Sequence, residues 1–538
     1  MKIALLCGGP SPERGISLNS ARSVLDHLVH HAREIVPIYF DTHKKAYHIS
    51  CAQLYSNTPS DFDFKLKYTA KPLTTTALMK LLKTADVVFP AMHGLFGEDG
   101  GIQAFLEKHD IPFVGSGSKA CRKAFDKFKA HQFLQAHGFT TLPCVLLEQG
   151  TRNHRATIQN FFEEHHLQRA IIKPAIGGSS IGVFSVGNPK EAYEEATLLL
   201  KHGVSRVVLE PFASGHEFTT IILENHEGKP VALPPTEIET SYTEHQIFDF
   251  RKKYLPTHAV TWHCPPRFSD EMIGTIQTQA EQLFSLFGMY DVARFDGWVL
   301  DDGRIWFSDF NPISGMEQNS FLFQQAGRVG MTHADVLTYI VKNAFRRYGI
   351  SDQNLDPDWS ESRRMTGRDD KKRKPVSVLF GGATSERQVS LMSGTNVWLK
   401  LRKSHAYRPM PYLLDTTGAV WHVPYHLTLS HTVEEIVENC KNYPAAKARL
   451  QSFEHDARLR LGLEETSDMY DFLTPRSSPW LMSSKVRNFF LTPCMAGQGK
   501  TVPCRRFVIR PMCRITALVK KYRAFAWING PRANIFVS

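Results

Sequence analysis

Two polar–Phe–polar triplets, at 294–296 and 309–311, hold residue types that bind a divalent metal. Because side chains alternate along a strand, Arg294 and Asp296 share one face, and Asp309 and Asn311 share another. Two carboxylates and an amide that converge from adjacent strands suit Mg²⁺, which prefers hard oxygen ligands together with phosphate. Salt bridging on a strand face is the alternative interpretation of the same residues.

Three further segments supply groups that could bind phosphate. Lys173 ends an apolar run and precedes the loop GGSSIG at 177–182, whose N–H groups could cradle phosphates, although its spacing is not that of a Walker loop. The basic run at 251–254 is consistent with an ordered lid or with a solvated loop. The glycine turn that begins at His93 would alone be an ordinary loop. Taken together with the triplets, these segments indicate a metal-bound nucleoside triphosphate as the ligand.

One further segment occurs twice in the chain. GGPSPERGISLNS at 8–20 returns as GGATSERQVSLMS at 381–393. Each copy follows a short apolar run, which is typical of a buried parallel strand that leads into a glycine turn and a helix. Two glycines let the backbone approach a ligand, and Ser and Glu near a helix N-terminus contact small polar molecules. A plain strand-to-helix turn would explain either copy alone, but the repeat favours a substrate-binding loop.

The elements that must position these residues alternate between strands and helices, which predicts an α/β protein. Helices are predicted at 102–109 and 332–348. Strands are predicted at 86–89, 170–172, 207–209, 218–223, 297–300 and 305–307, the last two joined by a hairpin turn at 301–303. A polar, basic stretch after 350 is predicted to be a linker, with a nuclear signal or a phosphate patch as the alternative.

Composition sets the broad class. The chain has 538 residues, of which 42% are hydrophobic, enough for about three or four domains with their own cores. No window approaches the roughly 18 apolar residues that a membrane span needs, and no signal-peptide core is present. We therefore expect a cytoplasmic protein without a membrane partner. The nine cysteines have no close pair and predict neither a zinc site nor a disulfide framework.

Residues 1–348 resemble the D-alanine–D-alanine ligases, ATP-grasp enzymes that join two D-alanines for peptidoglycan. Eight motifs in order carry the resemblance: GGPSPERGISLNS, HGLFGEDGGIQ, GSG with Asp126-Lys127, KPAIGGSSIG, LEPFASGHEFT, FDFRKKYLP, ARFDG and DFNPISGMEQNS. The resemblance implies three α/β subdomains at 1–115, 116–212 and 213–350. A basic linker at 351–375, a partial second copy of the N-terminal domain at 376–476 and an irregular tail at 477–538 would follow.

The resemblance also implies roles for individual residues. Glu13 would hold the ammonium group of the first D-alanine, linked through Ser179 to Tyr254 on the lid. The other implied sites are phosphate contacts at Lys127, Lys173 and Lys253, adenine and ribose contacts at Glu210 and Glu217, an oxyanion site at Arg294 and the N–H of Gly315, and a carboxylate site for the second D-alanine at Ser320. Asp296, Asp309 and Asn311 would bind two Mg²⁺ or Mn²⁺ ions.

The implied reaction forms no covalent enzyme intermediate. The first D-alanine carboxylate attacks the γ-phosphate of ATP to give an acylphosphate, and the second amine then displaces phosphate. Positioning and electrostatics therefore dominate. A homodimer is a further expectation, and an ATP-grasp carboxylate–amine ligase with a different substrate is the alternative.

The chain departs from the pattern of the ligases it resembles at three places. Asp309 stands where Glu is usual, Pro211 where Lys often flanks the adenine, and Ala175-Ile176 where polar residues are common. The shorter reach of Asp309 could alter the metal spacing. Tyr254, where ester-forming relatives carry Phe, favours a dipeptide product.

The second half repeats more than the loop. Residues 39–42 and 47–48 are answered by 413–416 and 421–422, so the duplication covers a domain. The tail does not continue it: residues 477–538 hold eleven Lys plus Arg and no Asp or Glu, and so carry the whole net charge of +11. Interleaved cations and aromatic residues such as Trp527 suit nucleic-acid binding. A degenerate ligase with a nucleic-acid-binding tail is therefore a second alternative. We favour a ligase that has no nucleic-acid partner.

The neighbouring reading frame explains the tail better. In the frame that begins at the third base of each codon, three codon pairs can encode only one residue each. Met495-Ala496 encodes Gly, Met512-Cys513 encodes Val and Trp527-Ile528 encodes Asp. Degenerate codons permit His at Cys494, Glu-Asp-Gly-Thr from Gly499, Gln at Cys504, Pro at Cys513, Gly-Ser-Gly from Thr516 and Lys at Ile528.

The spacing of the shifted residues matches the first copy. His93 lies 33 positions before Asp126, and Cys494 lies 33 before Trp527. His93 lies 22 positions before Gly115, and Cys494 lies 22 before Thr516. We therefore hypothesise a frameshift between about Arg476 and Asn488, and we expect the residues after it to be irregular.

Overall fold

The computed structural model describes residues 1–178, 181–240, 260–351, 373–463, 475–477 and 489–491. These residues form two compact units. The first is built from Met1–Gln325, from a segment that begins at Val336 and from Glu454–Leu463. The second is built from Ala326–Asp335 and from the described residues between 373 and Phe453, at 475–477 and at 489–491. Among the described residues, no helix is long and apolar enough to cross a membrane.

The N-terminal sheet of the first unit has four strands in the order β3-β2-β1-β4. Its strands are β1 (Lys2–Gly8), β2 (Glu34–Phe40), β3 (Ala46–His48) and β4 (Val87–Pro90). Its helices are α1 (Arg14–Leu28), α2 (Cys51–Ser56), α3 (Pro59–Thr69), α4 (Thr75–Leu82) and α5 (Gly101–Lys108). β1 runs parallel to both neighbours, and every residue after Lys2 in it is buried. The continuous apolar run therefore forms the central strand, as its composition predicts.

A second four-stranded sheet has the order β5-β8-β6-β7. It consists of β5 (Val145–Glu148), β6 (Ala170–Pro174), β7 (Phe184–Val186) and β8 (Arg206–Pro211). The helices α6 (Ser118–Phe125) and α7 (Lys127–Ala136) supply residues to the core of a larger sheet, described next, whereas α8 (His154–Glu164) and α9 (Pro189–Lys201) pack on this one. The buried apolar residues of α8, α9 and these strands form one core, centred on Ile158, Ile172 and Val207. This packing fixes the strand end that carries Lys173.

A six-stranded sheet follows, with the path β12-β11-β9-β13-β14 and β10 paired to β9. Its strands are β9 (Gly215–Glu224), β10 (Pro230–Ala232), β11 (Thr236–Thr240), β12 (Val260–His263), β13 (Val292–Leu300) and β14 (Ile305–Asn311). The helices are α10 (Asp270–Phe287), α11 (Phe321–Arg328) and α12 (His333–Arg347). Phe295 and Phe310 lie in its core with ring centroids 4.9 Å apart. Because these central Phe residues point inward, the polar residues that flank each of them lie on the opposite face.

The second unit has a sheet with the order β18-β17-β16-β15-β19. Its strands are β15 (Lys374–Gly381), β16 (Tyr407–Leu414), β17 (Val420–His422), β18 (Arg476–Ser477) and β19 (Phe489–Leu491). Its helices are α13 (Arg387–Arg402), α14 (Tyr425–Thr428) and α15 (Val433–Arg460). β19 pairs in parallel with β15. The rest of the predicted irregular tail, and nearly all of the predicted linker, lie outside the described residues.

The sharp turn after β1 depends on Gly8. Its φ is +85°, and a Cβ atom at this position would lie 2.4 Å from the carbonyl oxygen of Phe40. We expect Gly8→Ala to lower the free energy of unfolding by about 2 kcal/mol or more, through backbone strain and this clash. Gly274→Ala is the control, because Gly274 lies within α10 with no heavy atom within 4 Å of its Cβ position. It should be neutral or stabilising by up to about 1 kcal/mol. Denaturant unfolding of both variants checks the difference, and equal stabilities would contradict it.

Candidate active site

The first wall of the site is the loop between β1 and α1. Gly8 N–H donates to Ser17 Oγ (2.8 Å), and Ser17 Oγ–H donates to the carbonyl oxygen of Ala91 (2.6 Å), which ties the loop to the end of β4. Glu13 lies immediately before α1 and is buried. Its carboxylate lies against the backbone of Gly94 and Gly178, since a Cβ at either glycine would come within about 3 Å of its oxygens. The loop, the glycine turn and the glycine-serine loop therefore meet at Glu13.

The glycine turn after β4 holds a buried ion pair. His93 Nδ1 lies 3.4 Å from Glu98 Oε1, and His93 Nε2 lies 2.9 Å from Ser20 Oγ. Burial alone would lower the pKa of His93, but the hydrogen bond to Glu98 and the charges of Glu98, Glu317 and Glu13 together raise it above its usual value. The turn thus places a histidine that favours its charged form among three carboxylates.

The loop after β14 closes this side of the site. The N–H of Met316 donates to Ser20 Oγ (3.1 Å). A Cβ at Gly315 would lie 2.6 Å from Glu317 Oε2, so the Glu317 carboxylate lies beside the backbone of Gly315. Burial is the largest influence on Glu317 and raises the pKa of its carboxyl, although His93 and Arg294 oppose the rise. Ser320 lies just before α11, where its carbonyl oxygen accepts from the N–H of Gln324 (3.0 Å).

The opposite wall is the pair β13 and β14. Arg294 lies opposite Asn311 and Asp296 lies opposite Asp309 in this antiparallel ladder, so all four side chains share one face. Arg294 donates through Nε and Nη2 to the two oxygens of Asp296, each at 3.1 Å. Asn311 Nδ2 donates to Asp296 Oδ2 (3.2 Å), and Thr219 Oγ1 donates to Asp296 Oδ1 (2.7 Å). The triplets that alternation alone assigned to two faces therefore meet on one.

Two lysines lie between the metal-type ligands and the second sheet. Asp126 caps α7 by accepting from the N–H of Lys129, which places Lys127 in the first turn of the helix. Lys127 Nζ lies 2.6 Å from Asp309 Oδ1 and 3.0 Å from the carbonyl oxygen of Gly177. Lys173 Nζ lies 2.5 Å from Glu210 Oε1, and both side chains are at least nine-tenths buried. Burial would lower the pKa of Lys173, but Glu210 and Asp309 raise it, so the lysine is charged.

The structure thus brings most of the predicted site residues to one cleft. Electrostatic interactions connect Glu13, His93, Glu317 and Arg294, and Lys173 in turn interacts with Glu210 and Asp309. Glu217 lies on β9, with Cα partners on β11 and β13. The remaining predicted residues, Ser179, Lys253 and Tyr254, lie outside the described residues.

The acidic and amide oxygens fit a divalent metal that a nucleotide helps to bind. The set consists of two carboxylates, Asp296 and Asp309, and the amide of Asn311. Within the described residues, no group of three or more His, Cys, Asp or Glu side chains could hold a metal on its own. Mg²⁺ is commonly bound by one or two carboxylates together with substrate phosphates. The donor set therefore fits a metal carried in with phosphate rather than one held by protein ligands alone.

The arrangement of a glycine loop and lysines on one sheet, facing carboxylates on a second sheet, defines the ATP-grasp fold. Solved structures agree. A D-alanine–D-alanine ligase from Coxiella burnetii has a TM-score of 0.55 at 23% identity, and covers 65% of this chain and 96% of that one. The VanG D-Ala:D-Ser ligase from Enterococcus faecalis has a TM-score of 0.52 at 23% identity, and covers 64% of this chain and 99% of that one. At these identities the likeness concerns the fold.

The sequence comparisons define the family. Residues 2–116 match the model of the D-ala D-ala ligase N-terminus, and residues 133–342 match that of the D-ala D-ala ligase C-terminus. A relative named D-alanine–D-alanine ligase from Leptospira biflexa is 30% identical over 356 residues, which cover 64% of this chain and 98% of the relative. One from Streptococcus pneumoniae is 28% identical, covering 66% and 99%. This chain belongs to the D-alanine–D-alanine ligase family.

Sequence reasoning missed one feature of the site, the electrostatic interaction between His93 and Glu317. His93 was recognised only as part of a glycine turn, and Glu317 only as a letter in the last motif. Glu317, an acid two residues after Gly315, could have been flagged as a candidate for the site. Which partner it has, however, depends on residues more than two hundred positions away.

The position of Glu317 beside Gly315 predicts a pH dependence. We expect an ionised carboxylate there to oppose negative charge that develops near the Gly315 N–H, and we therefore expect activity to require the neutral form that burial favours. Because the pKa of Glu317 is raised, we expect kcat to be retained through the ordinary range of glutamate titration and to fall as pH rises through the higher value. In Glu317→Gln this fall should disappear.

The measurement is kcat against pH for both proteins, with Glu194→Gln as the control because Glu194 is 62% exposed on α9. The control should keep the wild-type profile. Identical profiles for the wild type and Glu317→Gln would show that this carboxyl does not titrate in the reaction.

Proposed function

We propose that this protein catalyses the ATP-dependent joining of two D-alanines to D-alanyl-D-alanine for cell-wall synthesis. Family membership over the first 350 residues supports the proposal, together with one observation on the site. The lysines that suit phosphate and the carboxylates that suit a metal lie next to each other, with Lys127 bonded to Asp309. Lys127 also bonds to the carbonyl oxygen of Gly177 in the loop after β6, so this lysine bridges the glycine-serine loop and the carboxylate of β14.

Each wall of the cleft has a separate task in this reaction. Glu13, buried beside two glycines, would bind the ammonium group of the first D-alanine. Lys127 and Lys173 would offset the charge of the transferring phosphate as the carboxylate attacks it. Arg294 and the N–H of Gly315 would stabilise the oxygen that becomes negative when the second amine attacks the acylphosphate. Ser320 would orient the carboxylate of that second D-alanine.

Divalent cations belong to the same proposal. Asp296, Asp309 and Asn311 would hold two Mg²⁺ or Mn²⁺ ions, which supply positive charge to the phosphates. Glu210 and Glu217 would contact the adenosine part of ATP.

The setting of the enzyme is also part of the proposal. We place it in the cytoplasm, where ATP is available and thiols stay reduced, which suits the free cysteines at 7, 51, 121, 144, 264 and 440. We expect no nucleic-acid partner, and a homodimer remains a prediction. Light scattering of the purified protein would measure the oligomeric state.

The test is phosphate release from ATP by the full chain with D-alanine, followed by identification of the product. D-alanyl-D-alanine and one ADP per dipeptide are expected. D-lactate and D-serine as second substrates form the comparison, because Tyr254 favours an amine over a hydroxyl nucleophile. A preference for D-lactate would refute the dipeptide product, and phosphate release that no amino acid stimulates would refute the ligase.

A further inference from the structure

The sheet of the second unit repeats the topology of the N-terminal sheet. The order β17-β16-β15-β19 corresponds to β3-β2-β1-β4. In both sheets the central strand runs parallel to its two neighbours, and the third strand pairs antiparallel with the second. The correspondence includes β19, which occupies the place of β4 although it lies in the basic tail.

The glycine loop repeats at the level of single hydrogen bonds. Gly381 N–H donates to Ser390 Oγ (3.0 Å), as Gly8 does to Ser17 (2.8 Å). The N–H of the next glycine in each copy donates to the last residue of the neighbouring strand. Gly382 donates to the carbonyl oxygen of Leu414 (2.7 Å), and Gly9 donates to that of Phe40 (2.8 Å). The φ angles agree within a few degrees, at +88° and +112° against +85° and +110°.

The acidic residue of the loop keeps the same backbone position. Glu386 precedes α13 with φ −89° and ψ 10°, and Glu13 precedes α1 with φ −80° and ψ 6°. The following arginine forms an ion pair with a later acidic residue in both copies, Arg387 with Glu434 and Arg14 with Asp63. Two unrelated strand-to-helix turns would not agree in hydrogen bonds, torsion angles and ion pairs to this extent. The two loops are therefore copies of one another.

What the second unit needs for a complete site lies in the other reading frame. In the first unit the turn at 93–100 and the loop at 177–178 enclose Glu13. The counterpart of the turn, His-Gly-x-x-Gly-Glu-Asp-Gly-Thr, is permitted from Cys494 onward when codons begin at the third base, and Asp-Lys follows at Trp527 with the same spacing. β19 ends three positions before Cys494, and β4 ends three positions before His93, so the shifted turn lies at the same distance from its strand.

We infer that the gene carries a second complete ligase site, of which the second unit is the N-terminal part and the neighbouring frame encodes the continuation. A single base lost between about codon 476 and codon 488 accounts for the change of frame. The substrate class, an amino acid that Glu386 would hold by its ammonium group, rests on the proposed function of the first site. The frame-corrected chain would carry this second site in addition to the first.

The first experiment is to sequence the DNA that encodes residues 476–538 and the region that follows. The expected result is a base string that encodes His-Gly-x-x-Gly-Glu-Asp-Gly-Thr and, 33 codons after the His, Asp-Lys in the frame that starts at the third base of each present codon. Downstream, the same frame should encode counterparts of Lys173 and of the triplets at 294–296 and 309–311. A string without the first motif overturns the inference.

The second experiment inserts one base to restore the frame and expresses the complete product. Its first site is disabled by Lys173→Met with Glu210→Gln, and phosphate release with ATP and D-alanine is measured. We expect about half of the activity of the frame-corrected chain with both sites intact, and loss of that remainder on adding Glu386→Gln. The printed chain with the same first-site changes should be inactive.

The outcomes separate the two proposals. If the corrected chain is active but loses all activity when the first site is disabled, the second site is not catalytic and the inference fails. If neither the corrected nor the printed chain releases phosphate with D-alanine while the DNA carries the motif, the proposed function fails and the duplication stands.

Discussion

Lys173→Met is expected to reduce phosphate release in the presence of D-alanine by about 10³-fold, close to complete loss. Lys173 is the buried cation between Glu210 and Asp309, and its pKa is raised, so it carries its charge throughout the working pH range. Because the Lys173 side chain is buried, we expect water to be a poor substitute for that charge when the γ-phosphate is transferred. The steady-state rate of ADP formation measures the effect.

The same substitution leaves Glu210 buried without its cation, which would cost about 3–5 kcal/mol of folding stability. The double variant Lys173→Met with Glu210→Gln removes that unpaired charge and should recover most of the stability but none of the activity. Lys190→Met is the matched control, because Lys190 is 81% exposed on α9, and it should change neither property. An active double variant would exclude Lys173 from the reaction.

Arg294→Ala is expected to lower kcat by about 10²- to 10³-fold, the usual cost of removing one group that stabilises an oxyanion. Arg294 is held by a two-pronged contact with Asp296, so it needs no reorganisation when negative charge develops beside it. Arg294→Lys retains the charge but not the planar fork, and it should recover only part of the rate. Values of kcat and KM with respect to D-alanine separate this effect from weaker substrate binding.

The hairpin between β13 and β14 offers a close control. Arg304 also pairs with an aspartate two residues away, Asp302. These side chains lie on the turn and are 59% and 50% exposed. Arg304→Ala should leave kcat unchanged, since an exposed pair contributes little. If Arg294→Ala behaved like Arg304→Ala, the assignment of the oxyanion site would be refuted.

The secondary structure followed closely from local pattern. The predicted strand at 170–172 is part of β6, that at 218–223 part of β9, and the helix predicted at 332–348 is α12 within one residue at each end. These elements are strongly apolar on the side they bury, and that information lies within a few residues of chain. The boundaries proposed for the domains stay a prediction.

The residues of the site could also be named from sequence, because their types and order match the motifs of the family. Which of these residues contact each other could not be predicted from the sequence. The contacts of Lys127 with Asp309, of Lys173 with Glu210 and of Ser20 with His93 join residues 182, 37 and 73 positions apart, each on a different strand, helix or loop. Such contacts depend on strand pairing and on how helices, loops and sheets pack, which no local pattern reports.

The sequence by itself determined the α/β class, the family, the repeated glycine loop and the residues able to bind phosphate and metal, because residue type and spacing are properties of the chain. The tertiary structure decided that Arg294, Asp296, Asp309 and Asn311 share one face, and that the Glu317 carboxylate lies beside Gly315. Strand register and the convergence of loops arise from packing between distant segments, and only the folded chain brings those segments together.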